Sequence, residues 1–269
     1  MTSYKRKAVF IDIDGTLILR GGAPFREDLQ AMEEAAGKGH LLFLNSGRSF
    51  GNIPQSLLGF SFIKGIAAGG GAHILLAGTA NQSRESARYE TIYRKWIPEE
   101  ILERIISWYQ KQSLYCVLEG ERNCYILNDA EQLQTAKAPI PIYSFDDFKN
   151  KCCGDLVTKV TLDGFASHEE SLLLEPFFTV NPFTDYTEAI IKGENKGKAM
   201  GIILDAVGIE RKDSIAIGDS ANDLDMIRFA GLGVAMGNAS AVLKAEAGAV
   251  TADCGKGGVA EVLRKHVLL

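Results

Sequence analysis

The chain has no apolar stretch that approaches the roughly 18 to 20 residues needed for a membrane-spanning helix. It also has no long run of like charge, and its balance is acidic, with a formal net charge of −5 and a pI near 5.5. The basic patch that a protein needs to bind nucleic acid or an anionic membrane is therefore not expected. We predict neither kind of partner.

Cysteine occurs five times, an odd number, and no pair has the CxxC spacing of zinc or thiol redox sites. We interpret these residues as free thiols that mostly fill the core. Residues 1–7 include basic side chains but lead straight into an apolar strand, which leaves no room for the apolar segment of a secretory signal. We therefore expect a cytoplasmic protein.

With 269 residues and 46% apolar content, the chain can bury a sizeable core in one or two domains. Uniformly apolar strands alternate with helical patterns in its first and last parts, as in a parallel sheet. We predict an α/β fold with a doubly wound, mostly parallel, Rossmann-like core made of residues 1–83 and 187–269. Residues 84–186, whose segments are of mixed polarity, are predicted to form an inserted α+β domain.

Three elements of this scheme are specific enough to test. Residues 187–191 are predicted to be the strand at which the core resumes. Residues 157–162 alternate apolar and polar side chains, which predicts a half-solvated antiparallel strand. Residues 50–58 are predicted to form a weak helix, with Pro54 near its start.

The most informative stretch is residues 9–17, an apolar run that ends in two aspartates and a glycine. Such a run suits a strand buried on both faces, which would deliver Asp12 to the carboxyl edge of the sheet, where open α/β folds bind ligands. Asp14 returns to the same side if the chain stays extended. Two carboxylates so close repel each other and require a cation, a shared proton or separate roles. Capping of the following helix is an alternative that this stretch alone leaves open.

Three later stretches place further polar side chains just after a strand or at the start of a helix. Short motifs match by chance, but several in a consistent arrangement strengthen one another. The stretches are Asn45-Ser46-Gly47-Arg48, Asn195-Lys196-Gly197 and Gly218-Asp219-Ser220-Ala221-Asn222-Asp223.

Together, DIDGTL, a strand ending in SGR, a Lys-Gly pair before a helix and GDSANDLDM resemble the motifs of the haloacid dehalogenase superfamily of phosphohydrolases. The long insertion and the GDxxND form of the last motif resemble in particular the Cof-type branch, which carries a large α/β cap of the C2B type. The resemblance implies a Mg²⁺ cofactor and a small phosphorylated metabolite as substrate, with a sugar phosphate expected. Cof-type chains usually carry Asn-Gly where this chain has Gly69-Gly70-Gly71, so a contact from that asparagine is not available here.

The resemblance makes Asp12 the nucleophile that forms an aspartyl-phosphate. It also assigns Mg²⁺ to Asp12, Asp219 and the backbone carbonyl of Asp14, an all-oxygen set that suits this ion. Asp223 would bind a water on the metal or hold Lys196. The alternative for Asp219 and Asp223 is capping of the helix that follows their strand.

Asp14 would protonate the leaving alcohol and later take a proton from water, the two-way role of a general acid and base. Lys196 would supply positive charge near Asp12 and the phosphate. A lysine at a helix start is unfavourable against the helix dipole, which favours a functional role over the usual solvated one.

Four residues are candidates for contacts to the phosphate or the rest of the substrate. Ser46 and the amide of Gly47 offer an O–H and an N–H at a helix start, although Ser-Gly after a strand is often a plain turn. Arg48 would reach the substrate or the cap, or pair with a surface acid. Asn222 would bind phosphate or cap its helix.

The inserted domain is expected to select the substrate. The polar side chains of its predicted hairpin are the first candidates, and a solvated hairpin is the alternative for each of them. They are Glu119, Arg122, Asn123 and Tyr125.

The leading prediction is a Mg²⁺-dependent phosphatase that works as a monomer or homodimer. A phosphomutase or phosphotransferase would use the same residues to pass the phosphoryl group to a sugar hydroxyl. A receiver-like signalling protein also carries a phosphorylatable aspartate, but it needs neither Asp14 nor an insertion of about a hundred residues. A non-catalytic metabolite sensor is the remaining alternative.

Overall fold

The computed structural model describes residues 5–19, 22–78, 89–128 and 138–268. The chain forms two compact units, one from Met1–Gly47, Gln55–Tyr93 and Asn195–Leu269 and the other from Arg48–Pro54 and Arg94–Glu194. Among the described residues the strands are β1 (Ala8–Ile11), β2 (Leu41–Asn45), β3 (Ile63–Ala68), β4 (His73–Ala77), β5 (Tyr89–Arg94), β6 (Cys116–Gly120), β7 (Cys124–Leu127), β8 (Ile140–Ile142), β9 (Val157–Asp163), β10 (Phe178–Pro182), β11 (Tyr186–Ile191), β12 (Ser214–Gly218), β13 (Leu232–Ala235) and β14 (Ala249–Val250). The α-helices of the same residues are α1 (Arg26–Gly37), α2 (Gln55–Leu58), α3 (Glu99–Gln112), α4 (Phe145–Cys152), α5 (His168–Leu174), α6 (Lys196–Val207), α7 (Leu224–Phe229), α8 (Ala241–Glu246) and α9 (Gly258–His266).

The first unit is built on an eight-stranded sheet in the order β14-β13-β12-β1-β2-β3-β4-β5. The pairs from β14 to β3 are parallel, and β4 joins β3 antiparallel. All four residues of β1 are buried, as expected for a strand covered on both faces. The register sets Ile11 beside Leu44 of β2 and Ile217 of β12, so the residues after these three strands emerge at one edge. The predicted mainly parallel core sheet is confirmed.

Helices of the first unit pack in pairs, α1 with α9 and α6 with α7. In the first pair, the buried Asp28 carboxylate accepts a hydrogen bond from the Ala260 N–H at 2.8 Å, which satisfies a free donor in the first turn of α9. In the second pair, a Cβ on Gly197 would lie 2.6 Å from the Asp225 carbonyl oxygen. The missing side chain of Gly197 therefore lets α6 approach α7 closely.

The second unit contains a six-stranded sheet in the order β10-β11-β9-β6-β7-β8. Its neighbours are antiparallel except β7 and β8. The face that carries Tyr125 is covered by helix, since this ring lies edge-on against Phe148 of α4 with the ring centroids 5.2 Å apart. Side chains alternate along a strand, so Cys124, and Glu119 opposite it, point to the other face. The prediction of a second sheet inserted into the α/β core is confirmed.

The strand at residues 187–191, predicted to return to the core, belongs instead to the second unit. Tyr186–Ile191 pairs antiparallel with both β9 and β10. All but the first of its residues are buried, because it is an inner strand of its sheet, and this burial gives it the apolar composition of a core strand. The predicted limit between residues 83 and 84 lies outside the described residues and stays a prediction.

The weak helix predicted at residues 50–58 is interrupted. Phe50–Asn52 forms a 3₁₀ turn, Ile53 is extended, and α2 covers only Gln55–Leu58. Proline disfavours the helical conformation of the residue before it, so Pro54 separates the two pieces.

Strand β9 does not have the solvated face predicted from its alternating polarity. Lys159 is buried, and its Nζ lies 2.9 Å from Glu119 and 2.7 Å from Glu188, while the Thr161 hydroxyl donates to Glu119 at 2.6 Å. Burial by itself raises the pKa of Glu119, but the Lys159 charge and the hydrogen bonds from Thr161, Lys159 and Asn52 together hold that pKa below its ordinary value. The polar face of β9 is therefore buried in ion pairs.

None of the described helices is long and apolar enough to cross a membrane. Three of the five cysteines, Cys116, Cys124 and Cys254, are buried, and all five are free thiols. The interpretation of most of them as core residues is confirmed.

We expect Lys159→Met to lower the free energy of unfolding by about 3–5 kcal/mol, because two carboxylates are then left buried without a counter-charge. Urea unfolding followed by circular dichroism measures the change. The control is Lys149→Met, since Lys149 is exposed and pairs with the exposed Asp146; its effect should stay within about 0.5 kcal/mol. Equal stability of the two variants would contradict a buried ion-pair role.

Candidate active site

The ends of β1, β2 and β12 bring polar residues to one edge of the eight-stranded sheet. Asp12 directly follows β1, Ser46 follows β2 and Asp219 follows β12. The Asp12 N–H donates to the Ile217 carbonyl at 3.0 Å, which extends the β1–β12 pairing by one residue. Asp12 and Ser46 are buried, so the edge is a recessed polar site.

The ammonium group of Lys196 lies at the centre of this site. Its Nζ donates to Asp12 Oδ1 at 2.6 Å, to Asp223 Oδ1 at 2.5 Å and to Asn222 Oδ1 at 3.1 Å. Burial by itself lowers the pKa of Lys196, but the charges of Asp12 and Asp223 and the hydrogen bonds to them together raise that pKa above its ordinary value. Lys196 therefore stays charged although it is only 1% exposed.

The start of α6 is held where Lys196 needs it. The Asn195 side chain caps the helix by accepting from the Lys198 N–H at 2.7 Å, and the Asn45 amide donates to the Lys196 carbonyl at 3.0 Å. Gly71 has φ +102°, and a Cβ there would lie 2.5 Å from the Asn195 carbonyl oxygen. The triple glycine thus lets the loop after β3 approach the start of α6.

Three carboxylates crowd the same site. Asp12, Asp219 and Asp223 each offer an oxygen within 4.8 Å of the others. Burial raises the pKa of Asp12 well above its usual value, and the Asp223 charge raises it further, against the effect of Lys196. Burial and then the Asp223 charge raise the pKa of Asp219 to about 7. Repulsion among buried oxygen donors favours a hard divalent cation, so this donor set fits Mg²⁺.

Asp223 differs from the other two acids because protein donors occupy both of its oxygens. Oδ1 accepts from Lys196, and Oδ2 accepts from the N–H groups of Asp219 and Ser220, each at 2.9 Å. The capping alternative raised from the sequence is thus present at Asp223, together with the contact to Lys196. Its geometry suits holding Lys196 better than binding a metal directly.

The turn after β1 gives the two aspartates of the first motif different surroundings. Gly15 adopts φ +82°, and a Cβ there would lie 2.3 Å from Asp219 Oδ2, so a side chain is excluded. The Thr16 hydroxyl donates to Asp219 Oδ1 at 3.3 Å. Asp12 is buried against Lys196, whereas Asp14 is only half-buried.

The other predicted substrate residues lie in different places. The Ser46 N–H donates to the Ala67 carbonyl at 2.8 Å, which holds Ser46 at the end of β2, and Gly47 is the last residue of this part of the first unit. Arg48 belongs to the second unit, where it donates to the Asn52 carbonyl at 3.1 Å. Asn222 Oδ1 accepts from Lys196 and from the Ser220 hydroxyl.

The predicted hairpin of the second unit is organised around Asp155. Its carboxylate accepts from the N–H groups of Arg122 and Asn123, each at 3.0 Å, and from the Tyr125 hydroxyl at 2.9 Å. Glu119 is buried against Lys159. The side chains of Glu119 and Tyr125 and the backbone N–H groups of Arg122 and Asn123, residues predicted to face a substrate, thus bond to other residues of this unit.

Sequence reasoning assigned no role to three residues that contact the site. Thr16 binds Asp219, Asn45 binds the Lys196 carbonyl, and Asn238 donates to the Gly15 carbonyl at 2.8 Å. Thr16 and Asn45 lie inside the motifs singled out from the sequence, and this position could have marked them as site residues. Asn238 lies outside all of them and carries no signal of its own.

Comparison with known proteins gives consistent matches. Residues 9–263 match the family model described as haloacid dehalogenase-like hydrolase. A putative phosphatase of Haemophilus influenzae is 41% identical over 81 residues, 30% of this chain, so the match spans about a third, 31%, of that relative's length. The 5-amino-6-(5-phospho-D-ribitylamino)uracil phosphatase YwtE of Bacillus subtilis is 30% identical over 94% of this chain and 96% of its own. The solved structure of the HAD subclass IIB sugar phosphatase BT4131 is 26% identical, with a TM-score of 0.80 over 98% of this chain and 100% of that one.

We expect Asp219→Asn to stabilise the metal-free protein by about 1–2 kcal/mol at about pH 8. Folding raises the pKa of Asp219 from 3.8 to about 7, so ionisation of this group destabilises the fold increasingly as pH rises between these values. Denaturant unfolding without Mg²⁺ measures the difference, which should vanish near pH 4. A gain of equal size at both pH values would contradict the electrostatic cause. Added Mg²⁺ should stabilise the unaltered protein and leave the variant unchanged.

Proposed function

We propose that this chain, which belongs to the haloacid dehalogenase-like hydrolase family, is a Mg²⁺-dependent phosphatase that acts through an aspartyl-phosphate on Asp12. The observation that carries the proposal is the buried Lys196, shared by Asp12 and Asp223 at the carboxyl edge of the sheet. An ammonium group fixed against one oxygen of a strand-end carboxylate leaves the other oxygen to attack phosphorus. Phosphoryl transfer needs such alignment and positive charge.

The nucleophile has to approach a dianion, which like charges oppose. Lys196 offsets part of the negative charge on Asp12. A bound Mg²⁺, held by Asp12, Asp219 and the Asp14 carbonyl, would supply the remaining positive charge. Asp223 keeps Lys196 in place, and Thr16 orients Asp219.

Proton transfer is assigned to Asp14. In the first step an Asp12 oxygen bonds to phosphorus, the ester P–O bond breaks, and Asp14 gives its proton to the leaving alkoxide. In the second step Asp14 takes a proton from water, whose oxygen attacks phosphorus, and phosphate and free Asp12 result. Asp14 is half-buried, whereas Asp12 is buried and bonded to Lys196, and this difference supports the division of roles.

Phosphate contacts are assigned to the Ser46 hydroxyl, the Gly47 N–H and Lys196. The amide NH₂ of Asn222 is assigned here as well, because its oxygen already accepts from Lys196 and Ser220. Arg48 is retained as a proposed substrate contact only. A cytoplasmic location and a monomeric or dimeric state also remain predictions.

The proposed substrate is a small metabolite with a phosphate ester on a polyhydroxylated chain, a sugar phosphate in the first instance. Two full-length relatives support this class, since one is named a sugar phosphatase and the other acts on a phosphoribityl compound by its name. A phosphomutase or phosphotransferase remains the second candidate, because the residues of the first step are the same. No specific observation favours a receiver-like protein or a non-catalytic sensor.

Phosphate release from a panel of sugar, sugar-alcohol and carboxylic acid phosphates, with and without Mg²⁺, tests the proposal. We expect Mg²⁺-dependent release that falls at least about 1000-fold in Asp12→Asn, because the nucleophile is lost. The matched control is Asp205→Asn, an exposed aspartate of α6, which should match the unaltered protein. In ¹⁸O-labelled water, hydrolysis puts the label into phosphate, whereas label-free transfer to an added sugar would favour the transferase. No phosphate release from any compound would contradict the phosphatase, and the absence of transfer to a sugar as well would contradict both enzymes.

We expect Asp14→Asn to accumulate a covalent phosphoryl group when the protein is given p-nitrophenyl phosphate. This leaving group needs little protonation, so the first step proceeds, while the second step lacks its base. Intact-protein mass spectrometry measures the adduct, and hydroxylamine should remove it as it does an acyl phosphate. An adduct of equal yield in Asp12→Asn would place the phosphoryl group elsewhere.

A further inference from the structure

Asn238 lies in the loop after β13, outside every motif singled out from the sequence, and its side-chain amide joins two distant loops. Its Nδ2 donates to the Gly15 carbonyl at 2.8 Å, and its Oδ1 accepts from the Cys254 N–H at 2.7 Å. A carbonyl can only accept and an N–H can only donate, so the two contacts fix which end of the amide faces which loop. Both contacts use side-chain atoms that only Asn can supply in this arrangement.

The loop that carries Asn238, residues 236–240, is also bonded to the loop that carries Asp219. The Met236 N–H donates to the Gly218 carbonyl at 2.9 Å, and the Ser240 N–H donates to the Asp219 carbonyl at 3.3 Å. Through Asn238 the same loop reaches Gly15. Residues 236–240 are thus hydrogen-bonded to both loops that supply the proposed metal ligands.

The contact to the Gly15 carbonyl matters because it bears on the orientation of the peptide that follows Asp14. The Gly15 N–H donates to the Ile18 carbonyl at 2.8 Å, and in a planar trans peptide this contact sets the opposite direction of the Asp14 carbonyl. The next peptide plane begins with the Gly15 carbonyl, and because glycine has few steric limits on its backbone angles, a contact to this carbonyl helps to fix the orientation of the plane. Asn238 provides that contact.

Rotation of this peptide would disturb the neighbouring acid. A Cβ on Gly15 would lie 2.3 Å from Asp219 Oδ2, so the Gly15 backbone is packed directly against the Asp219 carboxylate. Thr16, whose N–H belongs to the peptide that Asn238 holds, donates its hydroxyl to Asp219 Oδ1. This peptide therefore follows the Asp14 carbonyl directly in the chain and lies against the Asp219 carboxylate.

We propose that Asn238 is a positioning residue for the metal site: it holds the Gly15 peptide so that the Asp14 carbonyl and Asp219 keep the spacing that a divalent cation needs. The proposal rests on the Mg²⁺ site of the proposed function. Groups that orient metal ligands typically change affinity by about 10- to 100-fold when removed. Asn238 is exposed, so its loss removes no buried packing.

Calorimetric titration of the substrate-free protein with Mg²⁺ tests the role without measuring activity. Asn238→Ala should weaken Mg²⁺ binding about 10-fold. In assays, the Mg²⁺ concentration for half-maximal rate should rise by the same factor, with a smaller change in kcat once Mg²⁺ saturates. Asn150→Ala, an exposed asparagine of α4, is the matched control and should bind as the unaltered protein does.

Asn238→Asp separates geometry from charge. The aspartate can still accept from the Cys254 N–H but cannot donate to the Gly15 carbonyl. Its added negative charge by itself strengthens cation binding, so weaker binding in this variant has to come from the loosened peptide. Mg²⁺ affinity equal to or above that of the unaltered protein in both Asn238 variants would overturn the positioning role alone. No Mg²⁺ binding by the unaltered protein would overturn the metal site and the inference together.

Discussion

A lysine buried among carboxylates is the constraint around which the first unit is arranged. Lys196 donates to Asp12 and Asp223 at 2.6 and 2.5 Å, and a buried ammonium group without such partners would be strongly unfavourable. The start of α6 must therefore stay at the sheet edge, where the Asn45 amide bonds to it and Gly71 leaves room for it.

The same group of charges explains why the site favours a cation. One ammonium group faces three clustered carboxylates, and burial raises the pKa of both Asp12 and Asp219. A raised pKa means that the ionised form of each carboxyl group opposes folding. Natural active sites commonly give up stability in this way for function.

The second unit uses a buried lysine differently. Lys159 lies between Glu119 and Glu188, and Asp155 ties the hairpin together by accepting from two backbone N–H groups and the Tyr125 hydroxyl. These polar residues pair with one another within the unit, although the Oε2 atom of Glu188 is buried without a hydrogen-bond partner among the described residues. Polar character in an inserted domain is therefore weak evidence of substrate contact, since a buried ion pair requires the same residue types.

What could be predicted from the sequence was local in origin. Neighbouring residues set the geometry of a turn that follows an apolar strand, as in Asp-x-Asp-Gly or Gly-Asp. Patterns of a few residues therefore predicted the mainly parallel sheet. They also predicted the approximate positions of Asp12, Ser46, Lys196 and Asp219. The family resemblance then supplied roles that those patterns alone left open.

Contacts between distant residues were decided only by the tertiary structure. The apolar strand Tyr186–Ile191 suits either sheet, and hydrogen bonding to β9 and β10 placed it in the second. In the sequence, Lys159 has the polarity of a surface residue, and only the folded structure pairs it with Glu119 and Glu188 from other strands. Asn238 and Gly15 are 223 positions apart, and no short pattern encodes a hydrogen bond between residues that only folding brings together. Neighbouring residues fix backbone direction, whereas partners for buried charges and free carbonyls depend on the packing of the whole chain.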